Sequence, residues 1–358
     1  MGMPSIIIAF TEVAAAYIRR GERGIIAMIL KDTVPTTNPF QVDSVDDIPD
    51  TMTDLNKKMI KMALTGYINP PKRVFVYVLA EPADPADPVD YTPAYQALRT
   101  IKFNWLVAPY ATTDDVVSDL VSFVKTERQA HNLIKAVLPN ANGDHESIVN
   151  YATPAAIEGT TTYTAEQYTP RIAGIIAGTP SYMSATYAPC AELTDCTRLT
   201  QAEMDAAVDA GKLIIWWDGE KVKTGRAVDS LVTLTQEKNT QFQKIKIVEA
   251  MDMISDDIRK TAQDYYIGKY ANNYDNKQLL VSAISAYFDK LIVESVMQSY
   301  QIGIDVDANA RYLKSRGVDV SEMTEEELKR ANTGSNVFLK ATLSMLDAIE
   351  DITLNISI

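Results

Sequence analysis

The chain has 358 residues, long enough for two or more packed units. Apolar residues make up 46% and charged residues 23%, which excludes wholesale disorder and a collagen-like chain. Lys and Arg number 34 against 47 Asp and Glu, so the net charge is −13 and the chain as a whole repels nucleic acid and anionic membrane.

In chain order, Ser5 to Phe10 is apolar and strand-like from the start, with Ile6, Ile8 and Phe10 on one face. Gly24 to Leu30 reads as a buried strand. Asp54 to Tyr67 is helical, because Leu55, Met59, Met62 and Ala63 recur at three to four residues, and Asn69-Pro70-Pro71 stops it. Arg73 to Leu79 is β-branched and aromatic, hence a strand. Glu81 to Asp90 carries a proline at every third position and reads as a stiff connector.

The alternation resumes with a helix at Tyr95 to Ile101 and a strand at Asn104 to Ala108. A helix over Asp114 to Gln129 has acidic residues in its first turn, and a strand follows at Leu133 to Leu138. Polar residues after Asn142-Gly143 predict a surface loop. Capping boxes at Thr164 and Thr200 open helices. Lys212 to Trp217 is a strand that Asp218-Gly219 turns into a hairpin with Lys221 to Thr224. Lys244 to Met297 is mostly helical, and a polar helical region spans Asp307 to Arg330, with a third capping box at Thr324.

Val337 to Met345 alternates apolar and polar. The last eight residues alternate perfectly: Ile352, Leu354, Ile356 and Ile358 share one face, so a strand is expected to the final residue. Apolar strands at both ends fit addition to the chain's own sheet or donation to a neighbouring copy, where unpaired edges become joints.

The expected fold is α/β: a mostly parallel sheet flanked by helices, a helical or α+β C-terminal part, and extended strand arms at both termini. The expected segments are an N-terminal arm at 1–20, an α/β part at 21–90, an α/β domain at 91–235, a helical domain at 236–335 and a C-terminal arm at 336–358.

Catalytic and metal chemistry find little support. There is no GxxxxGK[ST], GxGxxG, HExxH or GxSxG. Cys190 and Cys196 lack a CxxC spacing, and His131 and His145 are the two histidines, so no metal site and no cofactor are expected. Asp305-Val306-Asp307-Ala308-Asn309 begins like a calcium loop, but Arg316 stands where the loop needs glutamate, and a helix N-terminus is the better reading. Asp115, His145 and Ser181 follow the subtilisin order of a triad, with a faint nucleophile-loop likeness at Gly178 to Ser181. Trp216-Trp217 reads as core and interface. No basic leader opens the chain and no apolar run approaches the ~20 residues of a membrane span, so a soluble, cytoplasmically made protein is expected.

Taken together, six segments resemble the contractile tail sheath family of phages and phage-tail-like bacteriocins. Gly21-Glu22-Arg23-Gly24-Ile25-Ile26-Ala27 resembles the family's N-terminal strand, and Asn69 to Tyr77 a second one, with Pro70 and Pro71 where the family has glycines. Phe103 to Pro109 resembles a third strand, and Pro170 to Ala177 the AGxIA helix. Ala210 to Ile215 through Thr224-Gly225-Arg226 resembles a hairpin, and Val337 to Ile358, with Asp347-Ala348-Ile349-Glu350-Asp351, the closing strand. The resemblance implies a subtilisin-like core without protease function, most like the compact sheaths of Gram-positive phages and R-type bacteriocins such as the clostridial diffocins.

It also implies a mechanical role: stacked hexameric rings around an inner tail tube, bounded by a baseplate and a tail terminator, that contract to drive the tube through an envelope. Neither nucleic acid nor a membrane is an implied partner. The implied location is a virion tail or tail-like particle, assembled in the bacterial cytoplasm and released by lysis. Strand exchange would use Ile6, Ile8, Phe10, Ile352, Leu354, Ile356 and Ile358. The candidate tube contact is Arg311, Lys314 and Arg316, a basic cluster in an acidic chain, against which stands a solvated face paired with Asp319, Glu322 or Glu326. The rival readings are an α/β serine hydrolase and a non-contractile filament protein.

Overall fold

The computed structural model describes residues 18–82, 84 and 87–357. The described residues form two compact units, one from residues 21–253 with 347–357, the other from 18–20 with 254–346. Ile6, Ile8, Phe10 and Ile358 lie outside the described residues.

The larger unit is built on a seven-stranded sheet. Its strands are β1 (Ile25–Lys31), β2 (Phe40–Val42), β3 (Arg73–Leu79), β4 (Trp105–Val107), β5 (Lys135–Pro139), β6 (Ile148–Tyr151) and β10 (Lys212–Leu213), in the order β10-β6-β5-β4-β1-β3-β2. All neighbours run parallel except the edge strand β2, which is antiparallel to β3. Strands on both sides of the proline-rich connector join this one sheet.

Side-chain alternation divides the core in two. On one face Ile26, Met28, Val74, Val76, Trp105 and Val107 pack under α1 (Asp54–Thr65) and α4 (Ala165–Ala177). On the other, Ile25, Ala27, Ile29, Leu106 and Ala136 pack under α2 (Thr92–Leu98) and α3 (Val117–Gln129). The result is a helix–sheet–helix sandwich, the layering that parallel strands with crossover helices require.

Three expectations change here. The helix expected from Asp114 starts at Val117, because Asp115 adopts a left-handed φ of 56° and Asp114 turns inward to Lys31 Nζ (2.6 Å) and the Tyr91 hydroxyl (2.8 Å). The run 212–217 is two strands: β10 joins the large sheet, while β11 (Ile215–Trp217) pairs antiparallel with β12 (Val222–Thr224). The segment after Gly143 is not simply a surface loop, since Glu146 and Ser147 are buried. A further small sheet, β7 (Ala155–Glu158), β8 (Thr161–Thr164) and β9 (Asp195–Cys196), and α5 (Gln201–Asp209) complete the body; the capping boxes expected at Thr164 and Thr200 open α4 and α5.

The division between the units falls inside α6 (Ile245–Thr261), which leads into a π-helical turn at Ala262–Tyr266. In the smaller unit, α7 (Tyr274–Val293) carries an antiparallel pair of strands, β13 (Met297–Ile304) and β14 (Leu339–Met345). Phe288 meets Tyr300 edge-on at 5.0 Å, and the Tyr300 hydroxyl donates to Asp289 Oδ1 at 2.8 Å. Between the strands lie α8 (Val306–Ser315) and α9 (Glu325–Arg330). The calcium-like stretch is the start of α8: Asp305 caps it by accepting the Ala308 N–H at 2.8 Å. The box expected at Thr324 opens α9.

The strand expected to run to the end of the chain stops at Met345. Among the described residues, 346–357 join no sheet.

Candidate assembly site

The root of the C-terminal segment is held against the larger unit by three acids. Asp347 pairs with Lys244, and Asp351 with Arg226. Between them, Glu350 Oε1 accepts from the hydroxyls of Thr186 (2.6 Å) and Ser184 (3.2 Å). Its Oε2 stands 3.6 Å from Lys244 Nζ and 3.7 Å from an Arg226 nitrogen. The hydrogen bond to Asp351, more than the nearby acids, holds the Arg226 guanidinium above its ordinary pKa. Burial lowers Lys244, but Asp347 and Glu350 outweigh it and raise that amine too.

The platform beneath this root is rigid for reasons readable in its residues. Thr224 Oγ1 donates to Ala185 O (2.5 Å), and the Ala188 N–H donates to that same hydroxyl oxygen (2.8 Å), locking the 184–188 loop to β12. Thr186 Oγ1 also accepts the Ala227 N–H at 2.9 Å. Gly225 lets this segment pass close to Ile214, whose side chain would stand 3.0 Å from a Cβ at that position. Two of the six segments that carry the sequence resemblance, Thr224-Gly225-Arg226 and Asp347 to Asp351, are thus brought together by the fold. Beside the root lies a groove of about 470 Å³ lined by Tyr187, Met204, Val208, Ile214, Trp216 and Arg226. Trp216 tilts against Tyr187 at 5.6 Å, and Trp217 lies under the Arg198 guanidinium at 4.7 Å.

Beyond the root, Ile352, Leu354 and Ile356 are 82%, 77% and 75% exposed. Arg311, Lys314 and Arg316 are exposed at the end of α8, and among the described residues none of them closes an ion pair. Of their expected partners, Asp319 accepts from Ser321, which with a smaller attraction from Lys314 holds its carboxyl below the ordinary range, and Glu326 accepts from Arg330 at 2.8 Å.

A buried charged seam, not anticipated from the sequence, lies under the start of α6. Lys135 Nζ, 1% exposed, is 2.7 Å from Asp252 and 2.9 Å from Glu249. Arg128 forks onto both oxygens of Asp252 at 2.9 and 3.0 Å. Burial alone would raise Asp252, but Lys135 and Arg128 outweigh it and hold the carboxyl below its ordinary range. The signal was a lysine inside the apolar run Ile134 to Leu138 and an aspartate on the apolar stripe of α6.

His145, considered for a triad, has its Nδ1 2.8 Å from the Ser147 hydroxyl, two residues on. Burial, with Lys238 and Arg128 nearby, lowers its pKa to about 4 despite Glu146. Asp115 sits at the turn before α3, and Ser181 lies in the turn beyond Gly178, the C-cap of α4. Among the described residues no group of three or more His, Cys, Asp or Glu could hold a metal, and no helix is long and apolar enough to cross a membrane.

Residues 84–223 match the profile of the phage tail sheath protein central domain, and residues 237–358 that of the phage tail sheath C-terminal domain. The tail sheath protein of Clostridium phage phiCD119 is 36% identical over 362 aligned positions, covering 99% of each chain. The crystal structure of a sheath tail protein from Desulfitobacterium hafniense superimposes with a TM-score of 0.72 at 17% identity, covering 96% of this chain and 100% of that one. The helical sheath of the anti-feeding prophage in its contracted state gives a TM-score of 0.72 at 13% identity, covering 100% and 99%. At such identities these two likenesses speak to the fold.

Proposed function

The chain belongs to the phage tail sheath family, and from that premise we propose that it is the structural subunit of a contractile sheath whose copies are joined by donated strands. The observation that carries the reading is the C-terminal arm: three large apolar side chains at alternate positions, exposed to water beyond a well-anchored root. A lone soluble subunit gains nothing by displaying such a face. A neighbouring copy would cover it by strand addition, with main-chain hydrogen bonds for affinity and the apolar face for fit. The β13–β14 pair, two strands wide among the described residues, is a sheet of the kind such a strand extends. Ile6, Ile8, Phe10 and Ile358 would take part in the same exchange.

Burying Ile352, Leu354 and Ile356 is worth roughly 5–9 kcal/mol at about 1.5–3 kcal/mol each. Ordering residues 352–357 costs about 6–12 kcal/mol at ~1–2 kcal/mol per residue. The terms nearly cancel, so main-chain hydrogen bonds of ~1 kcal/mol each, and any prior ordering of the arm, decide the outcome.

The sheath would consist of stacked hexameric rings on a tail tube, with a baseplate at one end and a terminator at the other. It would act in a virion tail or tail-like particle, assembled in the cytoplasm and freed by lysis. The three-layer core is read as subtilisin-like in layering and mechanical in use, with contraction drawing on energy stored during assembly rather than on a nucleotide or any hydrolysis. Arg311, Lys314 and Arg316 are the proposed tube contact.

The test removes Asp351 to Ile358 and scores particles by electron microscopy after co-expression with tube and baseplate proteins. The full chain is expected to give hollow striated tubes in long and short forms; the truncated chain is expected to give folded subunits, by circular dichroism, and no tubes. Normal tubes from the truncated chain would refute strand donation, and a single tube lattice from the full chain would make it a static filament.

A further inference from the structure

At the root of the arm the usual order of burial is inverted. The Glu350 side chain is 7% exposed, whereas its apolar neighbours Ile349 and Ile352 are 87% and 82% exposed. A tail lying loosely on a surface does the reverse, burying isoleucine and leaving carboxylate in water. A carboxylate leaves water only where partners replace its hydration. Glu350 has four: the Thr186 and Ser184 hydroxyls on Oε1, and the Arg226 and Lys244 cations facing Oε2. Those partners come from the 184–188 loop, the stretch after β12 and the residue before α6, so the carboxylate is gripped from three directions. Asp347 and Asp351, on either side of it, hold Lys244 and Arg226 in place. Oε2 has no hydrogen-bond partner, so Oε1 makes the directional contacts and the cations supply attraction.

We propose that Glu350 is a positioning residue for assembly: gripped by Thr186, Ser184, Arg226 and Lys244, it fixes the direction in which residues 352–357 leave the body, so that a neighbouring copy captures an arm already aimed. This rests on reading those residues as a donated strand. An arm pinned at its root samples fewer directions before capture, and preorganisation of that kind appears as affinity. The role is distinct from that of the apolar face, which makes the contact itself.

The experiment places a nitroxide at Thr353→Cys, on the polar face of the arm; the native Cys190 and Cys196 are buried and do not compete for the label. In the soluble subunit, Glu350→Ala is expected to shorten the label's rotational correlation time about threefold. Without the label, Glu350→Ala is expected to raise the critical concentration for polymerisation about tenfold, with the subunit's thermal melt unchanged. Glu350→Gln, which retains an acceptor for Thr186 and Ser184 but not the charge, is expected to fall between. Equal label mobility in the parent and Glu350→Ala would overturn the anchor. A parental critical concentration for Glu350→Ala, where deletion of 351–358 abolishes polymer, would overturn the positioning role while leaving strand donation standing. Polymer from the deleted chain would overturn strand donation itself, and the label would then decide the anchor alone.

Discussion

Asp229 and Asp252 are both carboxyl groups withdrawn from water, yet their protonation is driven in opposite directions. Asp252 has Lys135 and Arg128 within hydrogen-bond reach, and these outweigh burial. Asp229, 0% exposed, has the Leu231 N–H on Oδ1 at 3.0 Å, and its Oδ2 has no hydrogen-bond partner. Burial therefore pushes Asp229 well above its ordinary value; Glu146 adds to the rise, and Lys238 and Arg128 oppose it without reversing it. A folded pKa raised above the unfolded one gives stability that is complete below about pH 4 and declines as pH climbs toward the folded value. Asp229→Asn removes this dependence. Its urea midpoint should match the parent's near pH 4 and exceed it as pH rises above that. A difference that does not grow with pH would mean that Asp229 ionises normally in the folded subunit.

Among the elements, α1 and α4 approach so closely that glycine is obligatory between them. A Cβ on Gly174 would stand 2.3 Å from the Ala63 carbonyl oxygen, a backbone atom that cannot step aside. Gly174→Ala should force the helices apart and cost ~1–3 kcal/mol, read as a lower urea midpoint. Gly303→Ala, with open space around it, should stay within about 0.5 kcal/mol; equal effects at both sites would sink the close-packing account. Gly174 lies in the Pro170 to Ala177 segment that carries the family resemblance, so that motif has a packing cause. Much of this layer was legible: Arg73–Leu79 and the caps at Thr164, Thr200 and Thr324 follow from local chemistry, which a single segment contains in full. The arm root was not. The alternation from Val337 to Ile358 reads as one strand, but Glu350 finds Thr186 across 164 positions, and periodicity carries no information about a partner so distant. The run 212–217 was misread as one strand for the same reason, since only the fold decides that Leu213 pairs with Tyr151 while Ile215 pairs with Thr224.

For the whole molecule, charge sets the terms of assembly. Each copy carries −13, so copies brought into contact repel, and polymerisation should strengthen as salt screens that repulsion. A contact with a differently charged tube should respond to salt in the opposite sense, weakening as salt rises. Arg311, Lys314 and Arg316 suit such a contact, being exposed and, among the described residues, without an ion pair. Exposed pairs are worth ~0–1 kcal/mol each, which suits a grip that must release when the sheath moves off its tube. Reversing Arg311 and Lys314 to glutamate exchanges two weak attractions for two weak repulsions, a change on the order of 1–2 kcal/mol per subunit, or roughly tenfold in occupancy. Co-assembly with the tube protein at low salt, scored by electron microscopy, should therefore yield about tenfold fewer extended sheaths, with the deficit shrinking at high salt. Sheath-only polymers in the short form should persist, because the proposed strand exchange does not involve these cations. If the reversed chain builds extended sheaths at the parental yield in low salt, this end of α8 does not hold the tube, and the contact belongs instead to the helical stretch from Lys238 to Lys269.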